Sequence, residues 1–358
     1  MLVVRILRKI PALALAIAAL GACQIGGGSS TRPPAQQPPP YYGQQQPGPY
    51  PQPYPPQPYP QQPYPQQQPY PQQQPYPQQP PPPPVQQRPL LAPLVGVPAM
   101  QQEVRSILAE LINALSAQNQ ALVRGIPLVF DPTPEVNAFA GCDEQGAPFL
   151  AATAGILEAV DAIAQTKATD ELFGTRTYDA YCNAVLPQIV KSDTARAGLP
   201  AGIIPTQYGG DARRWSRARE LFDEIIAFTF GHELAHHYLG HTGCAKGQAM
   251  GAGPDPARLG RLLTVVPIFN QAAEAASDTS GAIDALDAGR ARRPSYQWTE
   301  AGATNLLDYF ARIERAAGGG GPLSLLNPVA ILKTHPNPLA RIPLVQTVAR
   351  TWHAQHPN

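Results

Sequence analysis

The sequence predicts a mainly helical α+β domain that follows a long tether rich in Pro, Gln and Tyr. Most of the 45 prolines of this 358-residue chain fall before residue 100. After that point, runs with the apolar spacing of helices alternate with a few short apolar stretches typical of strands. About 260 residues are then left for folding, which is ample for one core. We therefore expect a single domain over residues 98–358.

Residues 1–22 have the features of a signal peptide. Arg5, Arg8 and Lys9 precede an apolar run at residues 10–20, which is too short for a comfortable membrane span. The run ends in LGAC, which resembles a bacterial lipobox and predicts that Cys23 carries the lipid. An ordinary secretory signal is the alternative. Several acyl chains on one residue would attach the protein firmly to a membrane.

The residue after Cys23 bears on the location of the protein. Gln24 stands there rather than Asp, which in lipoproteins of this kind favours the outer membrane. We therefore expect the chain in the bacterial cell envelope, lipid-anchored in the outer membrane and facing the periplasm.

Residues 23–97 are predicted to be a disordered tether. Tyr recurs every five or six positions inside repeated Pro and Gln units, and such a segment has almost nothing to bury. Pro-rich chains extend by about 3.1 Å per residue, so the tether would act as a spacer. A segment that threads the cell wall or binds a Pro-recognising partner is the alternative.

The charge distribution argues against nucleic acid as a partner. Five of the 26 basic residues and none of the 25 acidic residues precede residue 100. The remainder carries a net charge of about −4, too little for steering of nucleic acid. We expect neither nucleic acid nor nucleotide among the ligands.

The first part of the domain is predicted to contain a small antiparallel sheet. A helix is expected over residues 101–118, and short strands over residues 126–130, 134–141 and 148–153, followed by a helix at 155–164. An extended peptide could add to a free edge of this sheet through main-chain hydrogen bonds. We therefore expect polypeptide substrates that bind as an added strand.

The run GHELAHHYLGH at residues 231–241 is the centre of the sequence. An apolar run at 221–230 leads into it and predicts a helix, on which His232 and His236 share one face. The HExxH pattern is typical of zinc sites in which the Glu, here Glu233, activates a water molecule. A buried pair of structural histidines is the alternative. His237 and His241 are expected to point away from the ligand face and to be structural.

The third ligand is expected further along the chain. His241 is out of register for a three-histidine site, whereas Glu274 and Asp278 lie four residues apart on another predicted helix. Glu274 would complete the site for one Zn²⁺ per chain. Asp278 would accept the outer N–H of a ligating histidine and fix its tautomer.

Five separated motifs resemble the HtpX/BepA/CAAX-prenyl-protease family of gluzincin metallopeptidases. They are EVNAFA at 135–140, the strand into GILE at 155–158, DE at 223–224, EAASD at 274–278 and THPNPLARI at 334–342. The resemblance implies zinc on His232, His236 and Glu274, with Glu233 as general base. It also implies that Asn137 and Ala138 bind substrate on the edge strand, and that His335 and Arg341 lie near the developing oxyanion.

The chain departs from that family in two ways. No apolar run after residue 23 approaches the ~20 residues of a membrane helix, which favours the periplasmic type of member. Residues 165–219 form a long segment, predicted helical at 170–191 and a loop at 198–210, that could be a substrate-gating flap or an inert insertion.

Pro267 suits the first turn of the Glu274 helix, and the Gly-rich stretches at 243–255 and 318–321 are expected to be connectors or lids.

The cysteines predict one disulfide. With Cys23 acylated, Cys142, Cys182 and Cys244 remain in an oxidising compartment. Sequence alone cannot give the pairing; we favour Cys142 with Cys244.

The expected function is that of a zinc-dependent endopeptidase acting on misfolded or unassembled proteins of the cell envelope. The alternative is a non-proteolytic envelope chaperone or assembly lipoprotein that retains a closed zinc site.

Overall fold

A computed structural model describes residues 89–247, 253–255, 270–292, 297–318 and 330–357. The signal segment, Cys23 and the tether up to residue 88 lie outside these ranges, as does Pro267. Both Gly-rich stretches are described only in part. Among the described residues, no helix combines the length and the apolar character needed to cross a membrane.

The described part of the chain is mostly helical with one small sheet, which confirms the α+β class. Its strands are β1 (Leu128–Asp131), β2 (Ala138–Cys142) and β3 (Pro148–Thr153). The helices before the HExxH motif are α1 (Val97–Ala114), α2 (Ala117–Val123), α3 (Ala154–Phe173), α4 (Thr177–Ile189) and the short α5 (Thr206–Gly209). The motif lies on α6 (Ala212–Tyr238), and α7 (Gln271–Arg292), α8 (Ala301–Ala316), α9 (Ala330–Thr334) and α10 (Pro338–Gln355) follow.

The sheet is mixed, so the prediction of a purely antiparallel sheet is wrong. Its order is β1-β3-β2, with β2 antiparallel and β1 parallel to β3. The β2–β3 hairpin accounts for the antiparallel pair. β1 pairs with the far side of β3, after the chain has reversed direction between β1 and β2. Every residue of β3 is buried, as expected for a central strand, and β2 forms an edge of the described sheet.

Helix α6 is the central element of the domain. It packs against α1, α2, α3, α7 and α8 as well as β2. Its first turn is capped by Asp211, whose side chain accepts a hydrogen bond from the N–H of Arg213. From Ile225 to His237 every residue is buried, so this half of the helix is surrounded by protein. The HExxH residues are therefore held in the core rather than on the surface.

Helices α6 and α7 approach each other closely beside the motif. A Cβ atom on Gly281 of α7 would lie 2.5 Å from the backbone nitrogen of His232, and one on Gly231 would lie 2.7 Å from the carbonyl oxygen of Gly281. Only glycine fits at both positions without displacing backbone. This contact places the first two turns of α7, which carry Glu274 and Asp278, next to His232.

The segment at 165–219 is part of the packed core. It contains the end of α3, the whole of α4 and the start of α6. Helix α4 packs against α3 and α8, and the buried hydroxyl of Tyr181 donates to the carbonyl of Ala197 at 2.6 Å. These contacts make α4 part of the packed core of the domain.

The end of the predicted tether contacts the domain. The N–H of Leu91 donates to the carbonyl of Leu199, and the N–H of Ala201 donates to the carbonyl of Pro89. The N–H of Leu94 donates to Asp161 at 3.0 Å. Residues 89–94 are therefore fixed to the loop at 199–201 and to α3.

Candidate metal centre

One turn of α6 brings two imidazoles together. The Nε2 atoms of His232 and His236 lie 3.0 Å apart, and both side chains are buried. Burial lowers the pKa of His236 to about 3, so its ring is neutral at physiological pH. A neutral imidazole with its lone pair directed at a shared point is the form that binds metal ions.

Glu274 of α7 completes a three-residue cluster. Its Oε1 lies 3.2 Å from Nε2 of His236, and its Oε2 lies 3.6 Å from Nε2 of His232. The side chain is fully buried, so Glu274 does not lie on a solvated helix face. Burial raises the pKa of this carboxyl group, but its interactions with His335 and His232 outweigh burial and hold the pKa below the usual range.

The spacing of these atoms fits one small cation. Ligand bonds of about 2.0–2.1 Å in tetrahedral geometry place two ligand atoms about 3.3 Å apart. The three separations between His232, His236 and Glu274 range from 3.0 to 3.6 Å. With His335, these residues form a buried group whose ligand atoms lie within 4.8 Å of one another and that could bind a metal ion.

Asp278 and Arg341 lie behind the candidate ligands. Asp278 Oδ1 lies 3.0 Å from Nδ1 of His232, the outer nitrogen of that ring. The guanidinium of Arg341 donates two hydrogen bonds of 2.6 Å to Asp278 and lies 2.8 Å from Oε2 of Glu274. In this structure Arg341 thus contacts both Glu274 and Asp278 of α7.

Glu233 faces the edge of the sheet. Its Oε2 accepts a hydrogen bond of 2.8 Å from the N–H of Ala140. Burial raises the pKa of Glu233, although the charges of His335 and His232 oppose the shift. A raised pKa makes a carboxylate a better proton acceptor at neutral pH.

The turn after α9 brings His335 to the other side of Glu233. Nε2 of His335 lies 3.4 Å from Oε1 of Glu233 and from the carbonyl oxygen of Ala138, while Nδ1 lies 3.0 Å from Oε2 of Glu274. Burial lowers the pKa of His335, but Glu274 and Glu233 outweigh it, so the pKa is raised. Asn337 in the left-handed region (φ 55°) and Pro338 at the start of α10 form the turn between His335 and Arg341.

The edge of β2 presents backbone groups to this cluster. The carbonyl of Ala138 and the N–H of Ala140 both point away from β3, toward His335 and Glu233 respectively. Asn137 immediately precedes the strand and is fully buried. Neither polar atom of its side chain has a hydrogen-bond partner among the described residues.

The expectation that His241 points away from the ligands is wrong. Its Nδ1 lies 3.1 Å from Nδ1 of His236 and 3.3 Å from the hydroxyl of Ser277. Helix α6 ends at Tyr238, so helical spacing no longer predicts the direction of His241, and the following turn folds back onto the site. His237 is structural as expected, with its ring nitrogens near the carbonyl of Phe149 and the hydroxyl of Thr242.

A disulfide joins Cys142 to Cys244, the pairing that we favoured. It links the last residue of β2 to the segment after α6. Cys182 is free and buried in α4. The covalent link therefore ties the edge strand to the turn that carries His241.

No protein-family model, curated protein or solved structure matches the chain.

Proposed function

We propose that the chain is a zinc-dependent endopeptidase that hydrolyses peptide bonds of misfolded or unassembled cell-envelope proteins. The observation that carries the proposal is the buried cluster of His232, His236 and Glu274 beside Glu233, which faces an edge strand. The resemblance of five sequence motifs to the HtpX/BepA/CAAX-prenyl-protease family supports the same activity.

Zinc is the metal that this donor set suits best. Two imidazoles and one carboxylate with a further position open for water are the ligands of catalytic zinc. When bound, zinc polarises the carbonyl group of the substrate and makes water a nucleophile at neutral pH. We propose one zinc ion per chain, held by His232, His236 and Glu274.

Each of the surrounding side chains then has a role. Glu233 accepts the proton of the attacking water. His335, with Nε2 3.4 Å from Glu233, donates a hydrogen bond to the oxygen that becomes negative in the tetrahedral intermediate. Arg341 is a positioning residue: it contacts the carboxylates of Glu274 and Asp278 and so influences the negative charge of the intermediate indirectly.

The substrate is proposed to bind as an additional strand on β2. The carbonyl of Ala138 and the N–H of Ala140 face away from β3 and would pair with the substrate in place of their contacts with His335 and Glu233. The buried amide of Asn137 would satisfy its hydrogen bonds with the backbone of the substrate. Recognition through the main chain selects extended segments over a particular sequence, which favours unfolded proteins.

The proposed location depends on the N-terminal sequence. Acylation of Cys23 would anchor the chain in the outer membrane facing the periplasm, with the Pro-rich tether as spacer. Incorporation of labelled palmitate into the full-length protein, abolished by Cys23→Ser, is the expected result.

The activity is tested by digestion of casein with the full-length protein. Glu233→Gln removes the base and is expected to lower the rate by about 10²–10⁴-fold, and a zinc chelator is expected to abolish cleavage. Glu144→Gln, the same change at an exposed residue of the β2–β3 turn, serves as the matched control. Cleavage that is indifferent to Glu233 and to the chelator would refute the proposal.

A non-proteolytic envelope chaperone is the second candidate. His335 belongs to the group that could bind a metal ion, and four protein ligands would give a closed, structural zinc site. A chaperone would suppress aggregation of an unfolded protein equally well with and without Glu233→Gln, and would cleave nothing. The peptidase would lose its activity in that variant.

A further inference from the structure

A small cavity adjoins the proposed catalytic groups. Glu233, His335 and Ala138 line one side of it, and these are the residues that surround the peptide bond under the proposed function. A side chain next to the cleaved bond is therefore the substrate group nearest to this cavity.

Most of the other residues in the cavity wall are apolar. Its apolar part is formed by Ile156, Phe228, Leu306, Phe310 and Ile331, all of them buried. His232 and Arg341 also line the cavity, and both contact Asp278. The hydroxyl of Thr229, which also lines the cavity, donates to the carbonyl of Ile225 at 2.7 Å. This apolar part of the wall offers no free polar group, and burial of an apolar side chain against it is favourable.

The cavity is small. Its volume is about 20 Å³, whereas a single water molecule needs about 10–15 Å³ by the same kind of measure. A methyl group is similar in size to a water molecule, so the cavity has room for the side chain of alanine. The branched side chain of leucine or the ring of phenylalanine exceeds it.

Close helix packing keeps the cavity small. A Cβ atom on Gly302 of α8 would lie 2.2 Å from the carbonyl oxygen of Glu224, so the backbones of α8 and α6 are in direct contact. Leu306 lies four residues after Gly302, on the same face of α8. Neither helix can move apart to admit a larger group without loss of this contact.

We infer that this cavity receives the side chain of a substrate residue adjacent to the cleaved bond and restricts that residue to the size of alanine. The inference rests on the proposed function and adds a substrate class to it. The specificity-determining residues are Leu306, Phe310 and Ile331.

The test uses full-length protein and two sets of peptides that differ only at the residue before or after the cleaved bond. Each set carries Ala, Val, Leu or Phe at that residue. At one of the two positions, kcat/KM for Ala is expected to exceed that for Leu by at least about tenfold, since groups of this size change specificity by about 10–200-fold. Leu306→Ala enlarges the cavity and is expected to reduce this ratio by about tenfold.

Leu286→Ala is the matched control, because Leu286 is equally buried but lies in a separate cluster. This variant should leave the ratio of kcat/KM for the Ala peptide to that for the Leu peptide unchanged. Ile331→Val removes one carbon from the wall and should shift the ratio in the same direction as Leu306→Ala if the latter fails to fold. Equal cleavage of all peptides at both positions, or an unchanged ratio in the wall variants, would overturn the inference and leave the peptidase activity standing. Absence of any Glu233-dependent cleavage would overturn both.

Discussion

Asp278 contacts a candidate metal ligand without belonging to the group that could bind a metal ion. Its Oδ1 lies 3.0 Å from the outer nitrogen of His232, and Arg341 holds the same carboxylate through two hydrogen bonds. Burial raises the pKa of Asp278, but the hydrogen bonds from Arg341 outweigh it and keep the pKa lowered. The charged carboxylate thus lies beside Nδ1 of His232, whose Nε2 is directed at Glu274 and His236.

Asp278→Asn is expected to weaken zinc binding by about 10–100-fold, the usual cost of losing an outer partner of a ligating histidine. Zinc affinity is measured by competition with a chromogenic chelator. Asp287→Asn is the control, since Asp287 lies on the same helix and accepts a hydrogen bond from Trp352, which an amide oxygen can still accept. Equal affinities for wild type and Asp278→Asn would contradict the orienting role.

Sequence could predict the residues whose spacing is local. His232 and His236 lie one helical turn apart, as do Glu274 and Asp278, and the structure brings both pairs together. Nothing in the spacing of His335 or Arg341 connects them to α6, and only the resemblance suggested them. His241 follows the end of α6, so its position depends on a turn that periodicity does not describe.

At the scale of elements, the contact between Gly231 and Gly281 sets the distance between α6 and α7. Gly281→Ala would place a Cβ atom 2.5 Å from the backbone of His232. We expect a cost of about 1–3 kcal/mol in stability from overpacking, together with weaker zinc binding because Glu274 moves away from the histidines. Thr279→Ala, on the same helix and away from this contact, should have little effect on zinc affinity. Zinc binding and denaturation midpoints are measured on both variants, and an unaltered zinc affinity in Gly281→Ala would count against the role of this contact.

The disulfide between β2 and the turn after α6 predicts a second effect on stability. It closes a loop with a sequence separation of 102, and loss of a native disulfide usually costs about 2–5 kcal/mol. The Cys142→Ser/Cys244→Ser double variant should unfold at a correspondingly lower denaturant concentration. A reducing agent should lower the midpoint of the wild type and leave that of the double variant unchanged. A wild-type midpoint that is insensitive to reduction would contradict the prediction.

The strands illustrate what sequence can and cannot predict about elements. All three were expected, and β3 was predicted with its observed bounds, Pro148–Thr153, because its apolar run is bounded by turn residues. Their order was not predictable, because β1 and β2 are neighbours in the chain but are separated by β3 in the sheet. The pairing is set by contacts across the sheet that no local pattern records.

At the scale of the whole molecule, Asp161 makes stability depend on pH. Burial raises its pKa to about 6, despite hydrogen bonds from Leu94 and Gln165. An unfolded Asp has a pKa of about 3.9, so between pH ~4 and ~6 the folded protein holds a proton that the unfolded chain has lost. Stability from this group is therefore greatest below pH ~4, falls as the pH rises to ~6 and is constant above it.

Asp161→Asn should remove that fall in stability. Between pH 4 and pH 7.5 the free energy of unfolding should decrease less in the variant than in the wild type, by up to about 3 kcal/mol for two units of pKa. Urea denaturation of the full-length chain at the two pH values measures the difference. Asp193→Asn, at an exposed position, should behave as the wild type does. The same pH dependence in Asp161→Asn would show that this carboxyl group does not titrate as stated.

The sequence was sufficient to predict the fold class of the domain but not where the domain begins. The helical period of α1, the apolar run that leads into the HExxH motif of α6 and the change in composition near residue 100 were sufficient to predict a helical α+β domain. The contacts of Pro89, Leu91 and Leu94 with the loop at 199–201 and with Asp161 were not predictable, because they lie in the Pro-rich part of the sequence and are made to residues about 70–110 positions away.

Under the proposed function, the hydrogen bond between Ala140 and Glu233 bears on which proteins are cleaved. A polypeptide that pairs with β2 competes for the Ala140 N–H, which in this structure is satisfied by the Glu233 carboxylate. Under the proposed function, the binding of an extended chain to β2 would therefore also free the carboxylate of Glu233 from Ala140. A well-folded protein, whose own backbone groups are already paired, would not trigger that release, and such an enzyme would spare correctly assembled proteins without having to recognise them.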